Sequence, residues 1–461
     1  MVDDDARDGF VNDDDPVLHY HELLADDQLA VDSHAMLVAQ LRERDLVFGG
    51  RPLCTVLRPR FTTPERHRAL ATGVRDLMRV FARAHAAAVE RPDVRSQFRL
   101  HDWEETLLLE SPPGVQPSPL SRLDAFLGDE PGSFRLTEYN AETPAGGAYN
   151  DAIADSFVDI PVMRAFGRRF EAQALPARHG VLHALLDSWE AFRGMRIAPR
   201  IGILDWRGVP TEPEFRLFQA YFRSRGLSCV IGDPRQAEYH GGSLTLDGRP
   251  VDLIYKRVLI TELVERCGME SAVIRAVRDG AVCLANGFGC KLLHKKASLA
   301  VLSDERNAHL FDGGGLAAIA AHVPWTRVVE ERRTTADGRE VDLVAHILAE
   351  RERLVLKPND DYGGAGIVLG WTVDAAGWEQ AVARALAEPY IVQARIAIPG
   401  EVYPAWVDDR VTFAERQLDT APFISRGAYM DGMLTRLSTE ALLNVTAGGG
   451  SQVPTFLVNP R

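Results

Sequence analysis

The chain has 461 residues and a mass of 50.9 kDa, of which 46% are apolar and 25% charged, the proportions of an ordinary enzyme-sized globular protein. Its formal charge of −13 argues against a general binder of nucleic acid or of anionic membrane, and no stretch approaches the ~18 consecutive apolar residues of a membrane span. Collagenous, wholly disordered and disulfide-scaffold readings are excluded on the same figures.

The first 15 residues hold seven aspartates and read as a disordered acidic tail without the basic and apolar regions of a secretory signal, so the expected compartment is cytoplasmic. From Pro16 to about Val94 the pattern is helical. Thr63-Pro64-Glu65 opens a helix along which Leu70, Val74, Leu77, Met78 and Phe81 recur at spacings of three and four. Residues 106–110 read as a short strand. Residues 120–127 and 133–140 read as the arms of an antiparallel hairpin across Gly128-Asp129-Glu130-Pro131-Gly132. Helices are expected over 151–166 and 179–192. At about residue 196 the texture changes to strand 200–205, helix 212–225, strand 228–231, a small hairpin over 243–250 and strand 251–257, which is the alternation of a parallel α/β unit. From Lys291 onward a helix over 295–302 mixes with strands and a Gly-rich end. The expected fold class is α/β (α+β) in four stretches: tail 1–15, then 16–195, an α/β unit over 196–290, and 291–461.

Five cysteines (Cys54, Cys229, Cys267, Cys283, Cys290) contain no C-x-x-C pair and read as reduced, mostly buried thiols. His19-Tyr20-His21-Glu22 lacks the spacing of H-E-x-x-H and reads as a helix face. Only five of the 52 basic residues are lysine (Lys256, Lys291, Lys295, Lys296, Lys357), which draws attention to the places where a compact ammonium is kept.

Leu354-Val355-Leu356-Lys357-Pro358-Asn359-Asp360-Asp361-Tyr362-Gly363-Gly364-Ala365-Gly366-Ile367 brings an apolar strand to a lysine and then to a glycine-rich loop. Glycines let backbone N–H groups approach phosphate oxygens, and the ammonium adds a point charge. The lysine precedes the glycines and 367–369 reads as a strand, so neither the Rossmann fingerprint nor the P-loop is matched. What is left is a glycine hairpin over a triphosphate, or a plain tight turn. On the earlier hairpin, Arg122 with Asp124 and Glu138 with Asn140 share faces, because residues i and i+2 of a strand point the same way. A symmetric loop sets Arg122 opposite Glu138, and Asp124 opposite Leu136. Two carboxylates and an amide oxygen suit Mg²⁺, while a solvated, ion-paired strand face is the plainer account. A strand over 389–396 carries Gln393 and can offer its edge to a purine.

Together these strings resemble the circularly permuted ATP-grasp family, similar to the synthetase half of glutathionylspermidine synthase. The resemblance rests on Arg122-x-Asp124, Phe134 through Gly146 with its Glu138-Tyr139-Asn140 core, Val251 through Arg257, Lys296 through Ser303, the Lys357 loop, and Leu443 through Gly450, in that order. It implies an ATP-grasp fold with the metal-ligand hairpin ahead of the lysines, and a pre-ATP-grasp-like unit inserted over 196–290. It implies ATP and Mg²⁺ as cofactors, with Asp124, Glu138 and Asn140 on the metal. Lys357 and a lysine of the 291–296 cluster would face phosphate, Lys296 first and Lys295 second. Tyr362, Gly363, Gly364 and Gly366 would form the nucleotide loop and Gln393 the adenine hinge. Arg122 would steady the transferring phosphoryl group. Arg257 would grip a substrate carboxylate, or make a strand-end ion pair. Gly448-Gly449-Gly450-Ser451 reads as a substrate loop or a terminal turn. The implied activity is ATP-dependent ligation of a carboxylate to an amine, both small molecules such as an amino acid, peptide or polyamine. A kinase on the same fold and a non-catalytic nucleotide-binding protein stay open, as does assembly into a homo-oligomer.

Overall fold

The computed structural model describes residues 15–48, 51–111, 116–361, 364–439 and 450–461, so residues 1–14 of the acidic tail, Tyr362, Gly363, Gly448 and Gly449 lie outside the described residues, whereas Asp15 is a helix cap, its Oδ1 accepting from Val17 N at 2.8 Å. Thr63 Oγ1 accepts from Arg66 N at 3.3 Å and Pro64 fills the first turn, so helix α1 (Pro64–Glu90) begins where its capping residues place it. The described residues of the run 44–63 before it are not helical. Helix α2 (Asp102–Leu109) replaces the expected strand over 106–110. The apolar run 107–109 is the last turn of a helix whose start is fixed by Glu104, which accepts from His101 N at 2.7 Å, and by three acids at its positive end.

Strands β1 (Leu120–Leu127) and β2 (Phe134–Asn140) form the expected antiparallel hairpin, in a different register. Arg122 pairs with Asn140, Leu123 with Tyr139 and Asp124 with Glu138, whereas Ala125 pairs with Leu136. Two features shift the pairing. The arms first pair at Leu127 and Phe134, which leaves six residues in the connector, and Thr137 is an extra residue opposite the Asp124–Ala125 step. Leu123 and Tyr139 face α1, where Phe81 and Tyr139 lie 4.3 Å apart between ring centroids, and the polar pairs face the other way.

The helix expected over 151–166 is two, α3 (Gly147–Val158) and α4 (Pro161–Phe166), because the residue before Pro161 is held extended and proline has no N–H to continue the ladder. Helix α5 (Arg178–Arg193) follows. A four-stranded parallel sheet is then built from β3 (Ile201–Leu204), β4 (Cys229–Gly232), β5 (Leu253–Lys256) and β6 (Cys283–Ala285) in the order β6-β5-β3-β4, with α6 (Glu212–Ser224) crossing from β3 to β4. The strand expected over 251–257 divides at Asp252, which turns its carboxylate to Arg200 at 2.6 and 2.8 Å. Val251 ends a separate antiparallel sheet.

Helices α7 (Cys290–His294) and α8 (Ala297–Ser303) meet at Lys295-Lys296, so the helix expected from 295 begins two residues later. Strands β7 (Thr326–Val328), β8 (Leu354–Pro358), β9 (Val368–Leu369) and β10 (Tyr390–Ala394) form an antiparallel sheet in the order β7-β10-β8-β9. The last strands, β11 (Gly400–Val407), β12 (Arg410–Leu418), β13 (Ala421–Ser425), β14 (Tyr429–Ser438) and β15 (Ser451–Pro460), take the early hairpin into one nine-stranded sheet. Its main path runs β11-β12-β14-β13-β1-β2. The molecule is a mixed α/β protein with several sheets. Among the described residues no helix is long and apolar enough to cross a membrane.

Candidate active site

The polar face of the β1–β2 hairpin is built around Asp124, which is 2% exposed. Arg122 Nε and Nη2 donate to its two oxygens at 2.8 and 3.1 Å, Asn140 Nδ2 at 3.0 Å and Arg436 Nη2, from β14, at 2.8 Å. Arg122 also donates to Ala145 O at 2.7 Å. Arg436 donates through Nε to Asp419 at 2.8 Å, so it bridges two carboxylates. Burial alone would raise the Asp124 pKa, but the charges of Arg122 and Arg436 overcome it and hold the group down at about 2. Asp419, buried and paired with Arg436, is shifted upward, because desolvation outweighs that pairing.

Two lysines arrive from other segments. Lys296, at the start of α8, lies 2.9 Å from Glu138 and donates to Asp361 O at 2.6 Å. Lys357, near the end of β8, donates to Thr137 O at 2.9 Å and to Gln393 Oε1 at 2.7 Å. The Thr137 bulge is thus what turns a strand carbonyl toward this ammonium. Gln393 in turn donates to Thr326 Oγ1 at 3.2 Å. Burial opposes ionisation of Glu138, but the Lys296 charge lowers its pKa. Burial brings Lys357 down to about 8, with Glu138 pulling the other way.

Three carboxylates (Asp124, Glu138, Asp419) therefore face four cationic groups (Arg122, Arg436, Lys296, Lys357), a balance that favours an anionic ligand. The donor set also suits Mg²⁺. Asn140 spends its amide nitrogen on Asp124, which leaves its oxygen, Glu138 is paired through one oxygen and a quarter exposed, and Asp124 is ionised. A second group of potential ligands, Glu142, His294 and Asp360, is neutralised by lysines instead: Lys291 lies 3.1 Å from Glu142 and 2.8 Å from Asp360, and Lys256 3.6 Å from Glu142.

Of the predicted residues, Arg122, Asp124, Glu138, Asn140, Lys296, Lys357 and Gln393 come together. Lys295 does not; its ammonium is committed to Glu104 at 2.9 Å and Asp360 at 3.2 Å, because α7 ends before it and turns it inward. Arg257 is 6% exposed and makes the strand-end ion pair, 3.3 Å from Glu214, with Tyr255 Oη at 3.2 Å. Gly364 and Gly366 sit in the turn after β8 with φ of +79° and +68°. A groove of about 570 Å³, lined by Phe126, Leu127, Phe134, Trp325, Arg395 and Ile398, begins at Ala394, the residue after Gln393. Arg436, Asp419, Thr137 and Thr326 were not singled out in the sequence. Nothing marks Arg436 among so many arginines, and the other three act through pairings made far along the chain.

No family model matches the chain. It is 26% identical over 362 residues to a Frankia alni protein named "Putative glutamate–cysteine ligase 2-3", an alignment covering 70% of this chain and 39% of that protein. The chain thus spans about two fifths of that relative's length. The structure of a glutathione synthetase-like effector from Globodera pallida superposes with a TM-score of 0.59 at 12% identity, covering 95% of this chain and 99% of the other. At that identity the likeness is one of fold.

Proposed function

We propose that the chain is an ATP-dependent ligase that joins a small carboxylic acid to an amine through an acyl phosphate, on a circularly permuted ATP-grasp fold with residues 196–290 as an inserted unit. The observation that carries the reading is the meeting of Asp124, Glu138 and Asn140 on one hairpin face with Lys296 and Lys357 from two other segments. The names of the relatives, a glutamate–cysteine ligase and a glutathione synthetase-like protein, point the same way and put amino acids and short peptides first among candidate substrates.

Mg²⁺, held by Asp124, Glu138 and Asn140, would supply neutralisation of the developing charge on the phosphate oxygens. Lys296 and Lys357 bind and orient the phosphates. The groove beside Gln393 takes the base, and Gln393 itself holds Lys357 in line. Arg122 and Arg436, both hydrogen-bonded to Asp124, would meet the charge gathered as a carboxylate attacks the γ-phosphate and so stabilise the transferring phosphoryl group. The acid oxygen attacks phosphorus, ADP leaves, and a neutral amine then displaces phosphate from the acyl carbon.

The test is phosphate release from ATP and Mg²⁺ against a panel of amino acids, short peptides and polyamines, with mass spectrometry of each mixture. Phosphate release that requires both an acid and an amine, with a product one water lighter than their sum, is the expected result. ADP without free phosphate, beside a phosphorylated acceptor, would replace the ligase with a kinase.

A further inference from the structure

Behind Glu138 lies a group of buried charges that takes no part in the reading above. Lys256, Lys291 and Lys295 face Glu104, Glu142 and Asp360, three cations against three carboxylates, five of the six at most 3% exposed. Asp360 is the exception in place and in exposure. Its side chain is 18% exposed, and it stands three residues beyond Lys357, where the strand gives way to the glycine turn. Its two oxygens accept from Lys291 Nζ at 2.8 and 2.9 Å, and one accepts from Lys295 Nζ at 3.2 Å.

The residues on either side of Asp360 hold the same segment by other means. Asn359 O accepts from Lys296 N at 2.9 Å, Asn359 Oδ1 from Ala297 N at 2.8 Å, and Asn359 Nδ2 donates to Phe98 O at 3.0 Å. Asp361 O accepts from Lys296 Nζ at 2.6 Å. All three lysines of the 291–296 cluster are therefore gripped by Asn359-Asp360-Asp361: two through the Asp360 carboxylate, and Lys296 through backbone groups on both sides of it.

From this we infer that Asp360 is a positioning residue, which by binding Lys291 and Lys295 keeps them out of the cleft and sets Lys296 alone against Glu138. The inference rests on the nucleotide reading of the site. Removing the carboxylate takes from Lys291 and Lys295 the one partner they share on this segment, leaves them to Glu142 and Glu104 at 3.1 and 2.9 Å, and removes one of the links that register α7 and α8 on β8. The segment that holds Lys296 through Asn359 O and Asp361 O, one residue to either side of Asp360, is then less firmly placed, and with it the direction of Lys296.

The experiment is calorimetric titration of ATP with Mg²⁺ into the wild-type chain, Lys296→Ala, Asp360→Asn and the double variant. Each single change is expected to weaken binding at least tenfold. The double variant should bind within about twofold of Lys296→Ala, because Asp360 acts through Lys296. Independent, multiplying losses would overturn the inference, as would undiminished binding in Asp360→Asn, since a general structural role has no reason to vanish with Lys296. Should Asp360→Asn fold poorly, the charge-balanced Asp360→Asn/Lys295→Met pair is measured instead, alone and with Lys296→Ala; Lys291 still loses its Asp360 partner there, so weaker binding alone and no further loss beside Lys296→Ala are expected, and multiplying losses overturn the inference. A wild-type chain that binds no nucleotide would remove the reading on which the inference stands, an outcome distinct from altered binding in the variants.

Discussion

At the scale of single residues, the site is an exercise in keeping charges ionised where water is scarce. Asp124 accepts four hydrogen bonds from three side chains, two of them arginines, and those charges outweigh its burial. Arg122 is then aimed by Asp124 and by Ala145 O instead of turning freely. Arg122→Met should lower phosphate release by ~10²–10³-fold, the cost of removing one donor at a site of developing charge. ATP affinity should change far less, and steady-state kinetics beside a nucleotide titration separates the two. Lys357 makes a pH prediction. Its pKa is about 8 in the folded chain, below its ordinary value, because burial disfavours the ammonium. A lysine whose folded pKa is depressed costs stability while it is charged, and that cost is relieved as pH rises from about 8 toward the unfolded value. Phosphate binding has the opposite requirement, since only the ammonium attracts it. Affinity for ATP should therefore fall as pH rises through 8, with uptake of a proton on binding at pH 8.5. Calorimetry in buffers of different ionisation enthalpy measures that uptake, and Lys357→Met should abolish it.

At the scale of elements, the turn after β8 shows how backbone conformation limits sequence. Gly366 has φ of +68°, and a Cβ there would lie 2.6 Å from Pro358 Cγ and 3.2 Å from Tyr390 Oη. Gly366→Ala should cost ~1–2 kcal/mol from the left-handed backbone alone, read as a lower urea midpoint, and the crowding adds to it. The glycine turn was legible because glycines at the end of an apolar strand have few other uses. The hairpin was legible too, and so was the gathering of Arg122, Asp124, Glu138 and Asn140 on one face, because that depends only on strand periodicity. The register was not. The signal for it lies in the apolar positions: Phe134, Leu136 and Tyr139 all face the core, so the period of two breaks at Thr137-Glu138, where the extra residue sits, and a symmetric pairing overlooks that break. Residues 102–109 failed for another reason: a short apolar run reads as either element, and the acids that decide it precede the run.

At the scale of the whole molecule, the early hairpin completes a sheet whose other main strands lie near the chain's end, a pairing that no local pattern encodes. Asn286, just past β6 of the parallel sheet, ties that unit to the hairpin. Its Oδ1 accepts from Leu120 N at 3.1 Å, and its Nδ2 donates to Leu120 O, Ala141 O and Glu142 O at 2.6, 2.7 and 3.1 Å. The consequences of removing it can be argued group by group. Ser118 Oγ has one hydrogen to give, and at 2.6 Å it serves Ala141 O in preference to Leu120 O at 3.2 Å, so Ala141 O keeps its partner. Leu120 N and Glu142 O lose theirs inside a buried junction. At ~1–3 kcal/mol for each group left unpaired, Asn286→Ala should cost about 2–6 kcal/mol. Asn286→Asp should be worse, although the side chain is the same size. It keeps an acceptor for Leu120 N but turns the three donated bonds into repulsion between a carboxylate and three carbonyls. Urea unfolding of both variants orders them. If the aspartate variant were as stable as the wild type, the amide N–H groups would not be what holds the parallel unit to the hairpin that carries Asp124.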